Sequence, residues 1–320
     1  MKQPAPVKQS IPARAIGSLV GALLRLLGRA DPDRASAFCG RIMRRVGPWL
    51  PQHRVGRENL RAAFPDKDPQ WIEATLRGAW ENLGRVAGEY VHLGRMWDFS
   101  LDRPHAGRVQ ANAETIALFN TLRDDGKPAL VFAAHLGNWE LPALAAPAHG
   151  LASAVVYRMP NNRAVADRIA AIRTTLMGRL IRSRPEAVFE MAGALDQGVH
   201  LGMLVDQHFS RGVEITFFGR KCWANPTIAR LARQFDCPVA GTRAIRLPGN
   251  RFQVEGTGPL DLPRDAAGKI DVQAATQAIN TIVEGWIREH PEQWLWFHRR
   301  WRQARPRRRG PRMAPRMAKS

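Results

Sequence analysis

Ala129-Leu130-Val131-Phe132-Ala133-Ala134-His135-Leu136-Gly137-Asn138-Trp139-Glu140 follows the turn signal Asp124-Asp125-Gly126-Lys127-Pro128. Six small or apolar residues in succession predict a strand buried on both faces, the kind a parallel sheet uses. His135 stands where that strand ends. Gly137 permits a sharp turn, Asn138 is a good helix N-cap, and Trp139-Glu140-Leu141 predict the opening of an amphipathic helix to about His149. In one continuous helix His135 and Glu140 would lie roughly 140° apart, at about 3.6 residues per turn. With the histidine on the turn and the glutamate in the first helical turn, they can converge. That suits a general base: an imidazole with an ordinary pKa of about 6.5, its tautomer fixed by a carboxylate. The competing account of such a pair is capping and solvation at a strand end. Its place at the carboxyl end of a buried strand, where open α/β sheets hold their sites, favours chemistry. Amides projecting from Asn138 and Trp139 would also support a developing anion.

Downstream, strands and helices alternate. Ala152 to Tyr157, His200 to Val205, Ile215 to Phe218, Val239 to Leu247 and Phe252 to Gly256 read as strands. Asn162 to Met177, Pro185 to Gln197, Pro226 to Phe235 and Asp271 to His290 read as helices, the last with Val272, Ala275, Ile279, Ile282 and Trp286 on one face. This pattern predicts an α/β domain over residues 101–301, with a mixed, largely parallel sheet flanked by helices.

Upstream the signals are helical. Asp31-Pro32 starts a helix to about Val46, with Arg34, Arg41, Arg44 and Arg45 on a basic face, and Asp68-Pro69 starts a longer one to near Met96. The stretch from Ile16 to Leu27 is strongly apolar but interrupted by Arg25, and shorter than the roughly 20 residues of a bilayer span. An interfacial anchor is the preferred reading, an ordinary buried helix its competitor, and single-pass attachment stays open. Residues 1–100 thus form a helical, membrane-associated layer. Residues 302–320, with Arg305, Arg307, Arg308, Arg309, Arg312, Arg316 and Lys319, lack acids and apolar periodicity, which predicts a disordered basic tail.

The chain carries 48 basic against 28 acidic residues, a net charge of +20, so its partners should be anionic: lipid surface, nucleic acid, or an acidic protein or substrate. Cys39, Cys222 and Cys237 show no paired spacing and read as reduced thiols. Polar clusters follow each predicted strand: Arg158 after the second, Asp206-Gln207-His208 after the third. Arg220 lies ahead of the helix at Asn225-Pro226, a plausible anion site.

His135-Leu136-Gly137-Asn138-Trp139-Glu140 resembles the H-x4-D/E motif of glycerolipid acyltransferases, in the form found in bacterial lipid A late acyltransferases of the lauroyl and myristoyl type. Val156-Tyr157-Arg158 with Asn161-Asn162, Leu204-Val205-Asp206-Gln207, Phe217-Phe218-Gly219 and Pro291 through Trp301 are similar to that family's later blocks, in the same order. The resemblance spans roughly Ala13 to Trp301. It implies that His135 takes a proton from an acceptor hydroxyl on a phosphorylated lipid A precursor, that Glu140 orients His135, and that the alkoxide attacks a thioester on acyl carrier protein. Arg158 would meet a phosphate, Asp206 would hold that Arg or a sugar hydroxyl, and Asn138 and Arg220 would line the substrate site. No metal or redox cofactor is implied, and the setting would be the cytoplasmic face of the inner membrane.

Rival readings differ in acceptor or in class. Related acyltransferases act on lysophospholipids or other glycolipids. A nucleic-acid-binding protein would suit the charge and the ten tryptophans, yet no helix-turn-helix, zinc-ligand or aromatic-sheet signature is visible. A metal hydrolase would need a third ligand and an H-E-x-x-H spacing that the sequence does not contain.

Overall fold

Asp31, Asp68, Asn112 and Asp271 each accept a backbone N–H at the start of a helix, so four of the helices begin where a side-chain oxygen satisfies their unpaired donors. The computed structural model describes residues 21–159 and 163–301. A helix α1 at residues 21–29 leads into α2 (Pro32–Val46), a 3-10 turn (Gly47–Trp49), α3 (Pro51–Ala63), α4 (Pro69–Glu89), a second 3-10 turn (Tyr90–His92) and α5 (Leu93–Met96). Then follow β1 (Val109–Ala111), α6 (Ala113–Asp124), β2 (Leu130–Ala133), α7 (Pro142–Ala148), β3 (Ser153–Tyr157), α8 (Arg163–Leu176), β4 (Arg179–Arg182), α9 (Ala187–Asp196) and β5 (His200–Leu204). The chain continues through β6 (Val213–Phe217), β7 (Arg220–Ala224), α10 (Thr227–Phe235), β8 (Val239–Leu247), β9 (Arg251–Thr257), α11 (Val272–Glu289) and a 3-10 turn (Pro291–Gln293).

Seven strands form one sheet in the order β1-β9-β8-β2-β5-β3-β4. β8, β2, β5, β3 and β4 run parallel, β9 runs against β8, and β1 runs with β9. The sheet is mixed and largely parallel, as the alternation of elements predicts. β6 and β7 form a separate antiparallel hairpin.

β2 lies between β8 and β5, which explains its unbroken apolar run: Leu130 and Phe132 are fully buried, and Phe132 stacks on Trp286 of α11 with centroids 5.5 Å apart. Leu60, Ile72 and Leu76 of α3 and α4 belong to the same core as Trp294 and Trp296. The amino-terminal helices therefore pack directly on the sheet.

One expectation shifts. The helix after β2 starts at Pro142, not Trp139, so Asn138 caps a turn rather than that helix. Of the apolar stretch from Ile16 to Leu27, residues 16–20 lie outside the described residues, as does the basic tail at 302–320. Among the described residues no helix is long and apolar enough to cross a membrane.

Candidate active site

β2 and β5 are hydrogen-bonded neighbours, paired in register up to Ala133 and Leu204. Their carboxyl ends therefore deliver His135 and Asp206 side by side. His135 Nδ1 lies 2.8 Å from Asp206 Oδ1, and the His135 backbone N–H donates to Oδ2 of the same carboxylate at 2.9 Å. Trp294 Nε1 supplies a third donor, at 2.8 Å from Oδ2. Asp206 has no solvent exposure. Burial opposes its charge, but the adjoining His135, by charge and by hydrogen bond, holds the carboxyl well below the ordinary carboxylate range.

A permanently ionised Asp206 fixes the tautomer of the imidazole: Nδ1 carries the proton and donates it to Oδ1. Nε2 is left with its lone pair, which accepts from Gln207 Nε2 at 3.4 Å. The His135 side chain is 16 % exposed, enough for a substrate hydroxyl to reach that nitrogen.

The carboxylate on His135 is thus Asp206, where the sequence reading assigns that contact to Glu140. Among the described residues no hydrogen bond joins Glu140 to His135. Glu140 instead accepts from Arg173 of α8, with Nε at 3.0 Å from Oε2, and from Trp139 Nε1 at 3.1 Å. The Trp139 indole stands beside the imidazole, centroids 5.3 Å apart, and so links the two. Asp206, read as a partner for Arg158 or a sugar hydroxyl, is too deeply enclosed for either. Arg158 follows β3 directly and is exposed. Arg220 opens β7 on the hairpin ahead of α10, its guanidinium over the Trp301 ring at 5.4 Å.

The turn carrying His135 is held from behind. Gly137 adopts φ +57°, and a Cβ there would stand 1.8 Å from the Ala244 carbonyl oxygen, so only glycine fits. Its N–H donates to the Gln293 carbonyl at 3.0 Å. Asn138 is fully buried with both ends of its amide engaged: Oδ1 accepts from the Glu140 N–H at 3.2 Å, and Nδ2 donates to Glu89 at 2.8 Å. Its side chain, substrate-lining in the sequence reading, is engaged at both ends in shaping the turn.

Glu89, at the end of α4, has no exposure and also accepts from Ser36 and from both terminal nitrogens of Arg246. Arg246 Nε donates to Asn82 Oδ1 at 2.9 Å, and Asn82 Nδ2 donates to the Gly137 carbonyl at 2.9 Å. Removing the charge in Glu89→Gln leaves Arg246 buried without its counter-ion, so thermal unfolding should show a loss of about 3 kcal/mol. An unchanged melting temperature would contradict this role for the pair.

His298 completes the surroundings. It is only partly buried as a residue, but its Nε2 is enclosed without a partner while Nδ1 meets the Leu295 carbonyl at 2.9 Å. Burial pushes its pKa down from the usual 6.5 to about 4, against the pull of Asp206. The unfolded chain therefore takes up a proton that the folded one refuses between those values, and stability falls with pH across that window by up to roughly 3 kcal/mol. In His298→Gln the fall between pH 6.5 and 4 should be shallower by that amount; identical stability profiles would refute the assignment.

Glu89, Arg246, Arg173, Trp294 and His298 carry no role in the sequence reading. Trp294 and His298 stand in the closing block of the resemblance, but the others come from elements whose spacing gives no hint that they meet. Among the described residues no group of three His, Cys, Asp or Glu is arranged to hold a metal ion.

A buried carboxylate, a histidine of fixed tautomer and an unprotonated Nε2 at the carboxyl end of a largely parallel sheet define an α/β enzyme equipped for general-base chemistry. The family model described as bacterial lipid A biosynthesis acyltransferase matches residues 6–303, and the chain belongs to that family. No curated protein matches the chain.

Proposed function

We propose that this lipid A biosynthesis acyltransferase moves a lauroyl- or myristoyl-type chain from acyl carrier protein to a hydroxyl of a phosphorylated lipid A precursor, at the cytoplasmic face of the inner membrane. The observation that carries the reading is the His135–Asp206 contact, which leaves Nε2 as a base. Nε2 takes the hydroxyl proton as the oxygen attacks the thioester carbonyl. Asp206 stabilises the imidazolium that forms. The tetrahedral intermediate collapses, the C–S bond breaks, and the proton passes from Nε2 to the departing thiolate. The products are an ester and a free carrier thiol, with the enzyme restored. A base of this kind contributes roughly 10²- to 10⁴-fold, and alignment of the two substrates adds to it.

Glu140 acts here as a positioning residue, through Trp139 against the imidazole and through Arg173 on the site wall. Arg158, exposed just after β3, would meet a phosphate of donor or acceptor.

The test is acyl transfer in detergent micelles with lauroyl- or myristoyl-acyl carrier protein and a phosphorylated disaccharide precursor. Ester and free carrier thiol should form in equal amounts. Transfer to lysophospholipid but not to the disaccharide would overturn the acceptor, and transfer from acyl-coenzyme A alone would overturn the donor.

A further inference from the structure

α2 buries one face and leaves the other uncovered. Ala35, Ser36 and Gly40 face α4, and the two helices approach so closely that a Cβ on Gly84 would stand 2.4 Å from the Cys39 carbonyl oxygen and one on Gly88 2.8 Å from that of Ala35. The opposite face carries Phe38, Ile42 and Val46 at four-residue intervals and runs on to Trp49 in the following 3-10 turn. Phe38 is 52 % exposed and Trp49 82 %. At about 1.5 Å per residue this apolar ridge is roughly 17 Å long.

Arg34, Arg41 and Arg45 flank the ridge, all exposed, and none is held in an ion pair among the described residues. Arg44 is, to Glu81, and Asp33 is bound by Arg108. The free charge of this face is therefore positive. α1 adds exposed Leu23 and Leu26, with exposed Arg25 and Arg29.

We infer that the α2 ridge, Phe38-Ile42-Val46-Trp49 with Arg34, Arg41 and Arg45, is the surface that docks this chain on an anionic phospholipid bilayer. A ridge is convex, and a headgroup layer deforms around it where a folded protein would need a matching groove. Aromatic and aliphatic side chains enter the acyl boundary, and guanidinium forks take lipid phosphates. Trp49, apolar with one polar edge, belongs at the depth of the headgroups. The close packing of α2 on α4, and the Ser36–Glu89 hydrogen bond, join this surface to the network behind the His135 turn. Docking through α2 thus sets the orientation of the catalytic turn to the lipid plane. The inference deepens the proposed function, because a membrane-borne acceptor is what makes that orientation useful.

The test uses the full chain and two kinds of vesicle, phosphatidylethanolamine with phosphatidylglycerol, and phosphatidylethanolamine with phosphatidylcholine. Wild type should cosediment with the anionic vesicles and be released by salt. The variant Arg34→Glu/Arg41→Glu/Arg45→Glu and the variant Phe38→Ser/Trp49→Ser should each bind at least tenfold more weakly, while acyl transfer in detergent micelles is unchanged. Emission lost in Trp49→Phe should be quenched by brominated phosphatidylglycerol. Wild-type binding by both variants, or an unquenched Trp49, would overturn the inference. So would variants that keep vesicle binding but lose affinity for acyl carrier protein or for a second copy of the chain. Vesicle binding is read without turnover: a wild type that binds as expected but transfers no acyl chain would sink the proposed function and leave the docking surface standing.

Discussion

His135→Ala is expected to lower acyl transfer by roughly 10³- to 10⁴-fold while the chain still folds, with a melting temperature lowered by the loss of Asp206's main partner. Both halves of the expectation follow from where the ring sits. It stands in the open end of the site, 16 % exposed, so truncation leaves no closed cavity in the core. Its Nε2 is the unprotonated nitrogen, and neither His298, whose Nε2 is enclosed, nor Glu140, committed to Arg173, takes the same place. Removing the imidazole does leave Asp206 without its main partner, but Trp294 Nε1 still donates to that carboxylate. Transfer and thermal unfolding measured on the same preparation check the expectation. Turnover within tenfold of wild type would remove His135 as the base.

Asp206→Asn should cut turnover by roughly 10²- to 10⁴-fold without a matching rise in KM. The amide has nearly the same volume as the carboxylate and still accepts from the His135 N–H. What it lacks is the charge that stabilises the imidazolium and the second acceptor that keeps the proton on Nδ1. Asp206 is enclosed and touches no substrate, so the loss belongs to kcat. A change confined to KM would instead place Asp206 in substrate binding. Its role as a permanent anion also predicts that acidification to pH 5 does not discharge it, because its carboxyl titrates well below the ordinary range.

The positions of these two residues were unequally legible. β2, β3 and β5 are short apolar runs between turn signals, and α2, α4 and α11 open on Asp-Pro or Asp caps, so their limits could be read from local chemistry. β1 has three residues, β4 reads Arg-Leu-Ile-Arg, and β7 opens with Arg-Lys, patterns too short or too polar to mark a strand. α3 and α6 also escaped, although both carry ordinary helix-start signals. His135 was visible because it stands directly after an apolar strand.

Asp206 was singled out too, but its pairing with His135 was not visible, for a topological reason. His135 and Asp206 are 71 residues apart and meet only because β5 is inserted beside β2 in the sheet order. Glu140, five residues from His135, offered a local pairing that the turn forbids: Gly137 takes the left-handed conformation, Asn138 folds back on Glu89, and Pro142 delays the helix. Arg173, 33 residues further on, then captures the carboxylate. The same holds for Arg246 and Glu89, whose contact spans 157 residues.

The central claim is that the His135 imidazole, held by Asp206, removes the hydroxyl proton in the transfer step. A single-turnover measurement of ester formation, with excess enzyme and acyl carrier protein labelled in its acyl chain, reads that step apart from substrate exchange and product release. Wild type should convert the label to ester in one phase. His135→Ala and Asp206→Asn should form the same ester at least 100-fold more slowly, roughly the smallest contribution a general base makes. Equal single-turnover rates in wild type and His135→Ala would contradict the account.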